Sequence, residues 1–168
     1  MLVRQAEEDG HGMTWPVEDI EPTNDIGFLR VVVDELVEAG FDVGVFGGWA
    51  KELLGLIERR SHRDLDLMVV GPDIDTLDAF VRDRHEVVAK RLSHKRAFIL
   101  NGILVELFIA DRGPNGWTTT FWDRTEHRWP PGGWVECCGL PVASEDVLDS
   151  YERVYETLHA DCQRFGAV

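Results

Sequence analysis

Apolar residues recur at helical spacing from Asn24 onward. Leu29, Val32, Val33, Leu36 and Val37 share one helical face, and Gly40 is placed to end that helix. The next segment, FDVGVFGG, reads as a short strand running into a glycine turn. WAKELLGLIERR reads as a helix in which Leu53, Leu54 and Ile57 alternate with charges. DLDLMVV is a strand with Leu65, Leu67 and Val69 on its core side. Pro72 and Asp73 open a further helix, with Ile74, Leu77, Phe80 and Val81 on its buried side.

Three more segments follow: EVVAKRLS, HKRAFIL and ILVELFIA. Asn101-Gly102 separates the last two, and both residues tolerate the positive φ of a tight hairpin turn. Residues 111–143 are rich in Gly, Pro and Trp, with short strands expected around TTTFW and WVECC. Ser144 is placed as an N-cap, with Glu145 and Asp146 in the first turn of a last helix. Its apolar face is Val147, Leu148, Tyr151, Val154, Tyr155 and Leu158. Residues 1–22 show no periodicity and read as a loose arm. Residues 23–168 then form a single α+β domain, a mixed central sheet flanked by helices.

The strand DLDLMVV is anomalous in opening with two acids. Charged side chains are almost never fully buried unless paired or bound to metal. Side chains alternate across a strand, so Asp64 and Asp66 share one face. Two carboxylates side by side repel unless a cation sits between them. Hard oxygen donors of this kind suit Mg²⁺, which commonly takes one or two carboxylates plus substrate phosphates. A third acid, Glu106, stands inside the apolar run ILVELFIAD. If its strand adjoins DLDLMVV, the three carboxylates converge on one patch. Such a patch can hold divalent ions for phosphoryl transfer, or leave one carboxylate free to take a proton from a hydroxyl.

Charge narrows the partners. The formal net charge of −14 repels nucleic-acid phosphates and attracts metals and polycationic small molecules. No run of apolar residues is long enough for a membrane span, and MLVRQAEEDG lacks the apolar stretch of a signal peptide, so a cytoplasmic protein is expected. Three cysteines, with Cys137 and Cys138 adjacent, suggest neither a disulfide framework nor a zinc site. The composition leaves the oligomeric state open.

The glycine turn adds a phosphate-binding element. In VFGGWAKEL, Gly47 and Gly48 allow close backbone approach to a phosphate at the start of a helix, although neither a P-loop nor a G-x-G-x-x-G is present. Taken together, GGWAKELLGLIERRSHRDLDLMVV resembles the polymerase-beta-type nucleotidyltransferase superfamily. Within it the pattern is most similar to the small antibiotic nucleotidyltransferases acting on aminoglycosides and lincosamides. The matching residues are Gly47, Gly48, Trp49, Ala50, Arg60, His62, Asp64, Asp66 and Glu106, within a resemblance spanning residues 26–110. It implies Mg²⁺, ATP or another nucleoside triphosphate as co-substrate, and transfer of a nucleoside monophosphate to a small-molecule hydroxyl. It implies Asp64 and Asp66 as metal ligands, Glu106 as third ligand or general base, and Gly47 and Gly48 against the triphosphate. Arg60 and His62 would neutralise phosphate charge or brace the acidic strand.

The chain departs from that family at several positions. The third acid is Glu rather than the commoner Asp, and Tyr151 stands where the last helix often carries a lysine. Lys90, Arg91, Lys95 and Arg96 are candidate replacements for that charge. Rival readings of the same pattern are a protein-acting or antitoxin-type nucleotidyltransferase domain and a non-catalytic nucleotide-binding one. An iron site built on His62 and Asp64 would need His85 or His94 nearby. His11, His127 and His159 read as surface residues. Trp117, Trp122, Trp129 and Trp134 read as packing, with Asp123 and Glu126 as candidates for a cationic acceptor. No G-x-S-x-G elbow supports a hydrolase triad.

Overall fold

The run DLDLMVV becomes β2 (Asp64–Val70), and the sheet is ordered around it. The computed structural model describes residues 23–165, with side chains through Ala160, so the arm expected over 1–22 lies outside the described residues. β1 (Val43–Val45) pairs antiparallel with β2 on one side, and β4 (Ile103–Gly113) pairs parallel on the other. β3 (Lys95–Leu100) returns antiparallel to β4 through a hairpin in which Asn101 and Gly102 take φ of 49° and 76°. β5 (Gly116–Phe121), β6 (Thr125–Arg128), β7 (Trp134–Cys137) and β8 (Leu140–Ala143) complete one eight-stranded sheet. Its order is β6-β5-β4-β2-β1-β8-β7, with β3 paired to β4 off that path. This is the mixed α+β architecture the sequence predicts.

Among the described residues, four helices cover the sheet. α1 (Ile26–Glu38) starts where the Asp25 carboxylate accepts the Phe28 amide at 2.9 Å and stops before Gly40, whose φ is +90°. α3 (Ile74–Arg82) starts the same way at Asp73. α4 (Glu145–Phe165) follows Ser144, whose hydroxyl accepts the Val147 amide at 3.4 Å. Phe98 and Phe108 lie on opposite faces of the sheet because strand side chains alternate. Phe80 of α3 packs edge-on against Phe98, and Arg84, just past the end of α3, pairs with Glu35 of α1. Phe46 and Tyr151 of α4 pack on Phe108 at 5.4 and 6.0 Å, so the acid-bearing face is roofed by aromatic rings.

Several sequence expectations are corrected. The helix expected over WAKELLGLIERR is α2 (Gly47–Leu53), starting two residues earlier and only seven residues long. Gly55 at φ +71° leaves the helical region, and the chain crosses to β2 as a loop. Val37 is 52% exposed, because Leu36 already closes the buried stripe of α1 and the next position turns about 100° away from it. Ile74 and Tyr155, also expected in the core, are exposed: Ile74 sits at the first position of α3, and Tyr155 borders a cleft. EVVAKRLS forms a 3-10 turn, Val88–Lys90, flanked by isolated bridges at Glu86 and Leu92. β6 and β8 were not anticipated. Among the described residues no helix is long and apolar enough to cross a membrane.

Candidate active site

β2 and β4 lie in register with Asp66 opposite Glu106, so the two acids sit abreast on the same face of adjacent parallel strands. Asp64 lies one pleat further along, at the exposed start of β2. The consequence is electrostatic crowding. Burial, then the neighbouring Asp64 and Glu106 carboxylates, push Asp66 up to about 7, with only Lys95 opposing. Asp66 is therefore poised between neutral and ionised near neutral pH.

Glu106 has a different environment. It is 7% exposed and carries an ammonium on each oxygen: Lys90 on Oε1, and Lys95 on Oε2 at 3.1 Å. Burial alone would raise it, but the two lysines outweigh that effect and hold its carboxyl below the usual value. The strand register explains Lys95. It pairs with Phe108 across β3 and β4, which places it diagonally from Glu106 on the same face. Its ammonium also rests 4.5 Å over the Phe108 ring. The 3-10 turn delivers Lys90. Among the described residues, no three His, Cys, Asp or Glu side chains are grouped so as to hold a metal ion together.

The glycine turn closes over Asp66. Gly47 adopts φ +61°, and a Cβ there would lie 2.5 Å from Asp66 Oδ2. Only glycine supplies both the conformation and the space. A Cβ on Gly48 would meet Arg60 Nη2 at 3.0 Å and His62 Nδ1 at 3.1 Å, so the segment before β2 folds back onto the turn. His62 stacks on Trp49 at 4.4 Å and meets Glu52 Oε2 through Nε2 at 2.8 Å. Glu52 also accepts the Arg60 amide, and these contacts outweigh its burial to lower its carboxyl. His62 is held against the start of α2 by these contacts and also faces the cleft beside Asp64.

Two clefts share Gly48 and Arg60. One, about 340 Å³, is lined by Trp49, Ser61, His62, Arg63, Asp64 and Asp66. The other, about 390 Å³, is lined by Phe46, Gly47, Lys51, Leu148, Tyr151 and Tyr155, with Glu152 and Glu156 at its side. Among the described residues, the Arg60 and Arg63 guanidiniums make no ion pair, whereas Lys51 is paired with Glu152. Tyr151 approaches the acids: burial, then Tyr155, Asp66 and Glu106, push its hydroxyl up. The candidate replacement cations divide. Lys90 and Lys95 reach the site, while Arg91 and Arg96 bind Asp78 on the other side of β3.

Sequence reasoning missed Asn24. Its amide donates to the carbonyls of Asp64 and His62 at 2.8 and 3.2 Å, and its oxygen accepts the Trp49 indole at 3.1 Å. The only signal was a polar residue just before a helix, which ordinarily marks a cap. The iron alternative finds no support. His94 packs between Phe121 and Trp122 and accepts the Trp122 amide, and His85 occupies a left-handed turn position. His127, expected at the surface, is half-buried against Trp129 and Ser150. Trp129 is core, and Trp117 and Trp134 pack on each other at 4.7 Å. Cys137 is half-buried and Cys138 exposed, both as free thiols. Asp123 and Glu126 are exposed, and Cys162 lies outside the described side chains.

No family model matches the chain, and no curated protein sequence does. Solved structures do. The lincomycin-bound lincosamide antibiotic adenylyltransferase LnuA superposes with a TM-score of 0.67 at 13% identity, covering 84% of this chain and 96% of that one. ANT(2")-Ia, in complex with adenylyl-2"-tobramycin, gives 0.56 at 21% identity over 84% and 89%. A candidate nucleotidyltransferase of Thermotoga maritima gives 0.55 at 20% identity over 82% and 89%. A parallel β2–β4 pair bearing three acids, a glycine turn laid over the middle one, and these superpositions agree on one architecture: the chain has the nucleotidyltransferase fold.

Proposed function

We propose that the protein transfers a nucleoside monophosphate, most simply AMP from ATP, to a hydroxyl of a small cationic antibiotic of the aminoglycoside or lincosamide class. One observation carries this reading: Asp64, Asp66 and Glu106 stand together on two adjacent strands beneath the Gly47–Gly48 turn. The superposed proteins, one bound to lincomycin and one to adenylyl-tobramycin, support the reaction class. The strongly negative chain supports a cationic acceptor.

The donor set fits a divalent metal. Asp66 is crowded by two further carboxylates and pushed up to about 7, an excess of buried negative charge that a cation would relieve. Asp64 and Asp66 share a cleft, and two carboxylates plus phosphate oxygens suit Mg²⁺. Bound there, Mg²⁺ would polarise the α-phosphoryl group and offset charge developing in the transition state. Arg60 and Arg63 neutralise the triphosphate along the same cleft, and Gly47 and Gly48 let it approach the backbone. The acceptor oxygen bonds to the α-phosphorus as the bond to the leaving pyrophosphate breaks. The acceptor's proton passes to a carboxylate of this acidic patch or to water in the cleft.

The test is incubation with ATP, Mg²⁺ and a panel of aminoglycosides and lincosamides, following pyrophosphate. Turnover on any acceptor that is lost in Asp64→Asn supports the reading. Absence of turnover on every acceptor, with Asp64→Asn indistinguishable from wild type, overturns it. The lysine-sealed Glu106 favours a second reading, a domain that binds nucleotide without transferring it. Calorimetry with ATP and Mg²⁺ separates the two, since that reading requires binding with no turnover.

A further inference from the structure

We infer that this site takes one divalent ion rather than two, because Lys90 and Lys95 occupy the coordination positions of Glu106 and supply the positive charge a second ion would bring. The inference rests on the transferase reading above and concerns how its acids are shared out.

Each oxygen of Glu106 already has an ammonium. Lys90 reaches Oε1, and Lys95 reaches Oε2 at 3.1 Å. A metal bound to Glu106 would have to displace one ammonium and then sit beside the other. Neither lysine is placed by chance. Lys95 is fixed by the β3–β4 register, its side chain is 16% exposed, and its ammonium is seated over the Phe108 ring. Lys90 comes from the 3-10 turn, which is held by its own backbone bond from the Lys90 amide to Val87 and by the Val87 amide to Ala97 of β3.

The two lysines offset two of the three formal negative charges of Asp64, Asp66 and Glu106. A second divalent ion on Glu106 would face both ammonium groups in a partly buried site. The two carboxylates left open to the cleft are Asp64 and Asp66, which line it while Glu106 does not. Lys90 and Lys95 are then positioning residues. They act through Glu106 and hold it off the metal.

The test counts Mn²⁺ bound per chain by electron paramagnetic resonance, with Mn²⁺ alone and with a non-hydrolysable ATP analogue. Wild type should bind one ion in excess of that carried by free nucleotide, and Asp64→Asn should lose it. Lys90→Met with Lys95→Met, which keeps the aliphatic stems and removes both charges, should raise the count from one to two. Lys95→Arg should leave it at one. Two ions on wild type overturn the inference, as does a count of one in the folded double variant. If the double variant does not fold, Lys90→Gln alone alters the more exposed lysine. It should then admit a second, weaker ion, and an unchanged count overturns the inference. An anomalous Mn²⁺ peak in crystals should lie at Asp64 and Asp66, and a second peak on Glu106 overturns it. The Mn²⁺-only count does not depend on nucleotide transfer, so failure of the transferase reading and failure of this one are told apart.

Discussion

Lys95 and Arg96 are neighbours in sequence, and their side chains serve two charge clusters of opposite character. Arg96 meets Asp78 at 2.6 Å through Nε and the carbonyls of Leu92 and Lys95 through Nη1, and Arg91 completes the set with Asp78 and Glu86. Burial would raise Asp78, but the two arginines outweigh it and hold its carboxyl below the usual range. Across the strand, Lys95 joins three acids, and the middle one is driven the other way, up to about 7. The first cluster is balanced and holds the fold together. The second is left short of positive charge where a cleft opens, which is the pattern expected of a site that completes itself with a ligand.

The largest expected effect comes from relieving the second cluster. Asp66→Asn should cut turnover by at least about 10³-fold, since it removes a carboxylate that the proposed reaction assigns to the metal. The same change should stabilise the protein. The native Asp66 carboxyl binds its proton far more tightly than an unfolded one, so stability falls as pH rises from about 4 through about 7. At pH 8 the variant should therefore be more stable by about 1–3 kcal/mol, with the advantage shrinking toward pH 4. Denaturant midpoints at both pH values check this. Mg²⁺ should raise the wild-type midpoint at pH 8 and leave that of the variant unmoved. A destabilised Asp66→Asn would erase the contrast between the clusters.

Breaking the first cluster should do the reverse. Arg96 is 7% exposed, and Arg96→Ala leaves Asp78 with Arg91 as its partner and removes the bonds from Nη1 to the Leu92 and Lys95 carbonyls. With Arg91 still in place the cost should be about 3 kcal/mol, the low end for a broken buried charge group. Turnover per folded molecule should stay close to wild type, because Arg96 points away from the acids. Chemical denaturation and activity measured on the same preparation decide it. A stable Arg96→Ala with lost turnover would mean that the two clusters are coupled through β3.

The contrast was only half legible in the sequence. Acids inside apolar runs violate the burial rule and so announced Asp64, Asp66 and Glu106, and Asn101-Gly102 announced the hairpin that brings β3 back alongside Glu106. Period-two alternation also says that Lys95 and Arg96 face opposite ways. It does not say which face each takes, since register is set by pairing with β4. Lys90 was harder still, because a 3-10 turn has no apolar period of its own. β6 and β8 escaped because their turns put positive φ on Trp122 and Asp123, and on Cys138 and Gly139, where the composition rules look for Asn-Gly. Asn24 escaped because an isolated asparagine before a helix is usually only a cap.

The residue before this pair sharpens the comparison with the smallest of the expected effects. His94 is 3% exposed, packed against Phe121 and Trp122, and belongs to neither cluster. Burial, then the nearby Lys95 charge, lower it to about 4, with Asp123 opposing. The unfolded chain therefore takes up a proton near 6.5 that the native protein refuses until about 4. Stability from this group is fully present above about 6.5 and is lost as pH falls toward 4, by on the order of 2–3 kcal/mol. His94→Asn keeps an acceptor for the Trp122 amide, now bound at 3.2 Å, but cannot take the proton. Its denaturant midpoint should sit below wild type by a constant margin above pH 7, and the margin should narrow between pH 6.5 and 4. Parallel curves across that window would mean that His94 protonates freely in the native state, and that Lys95 directs its charge at the acids alone.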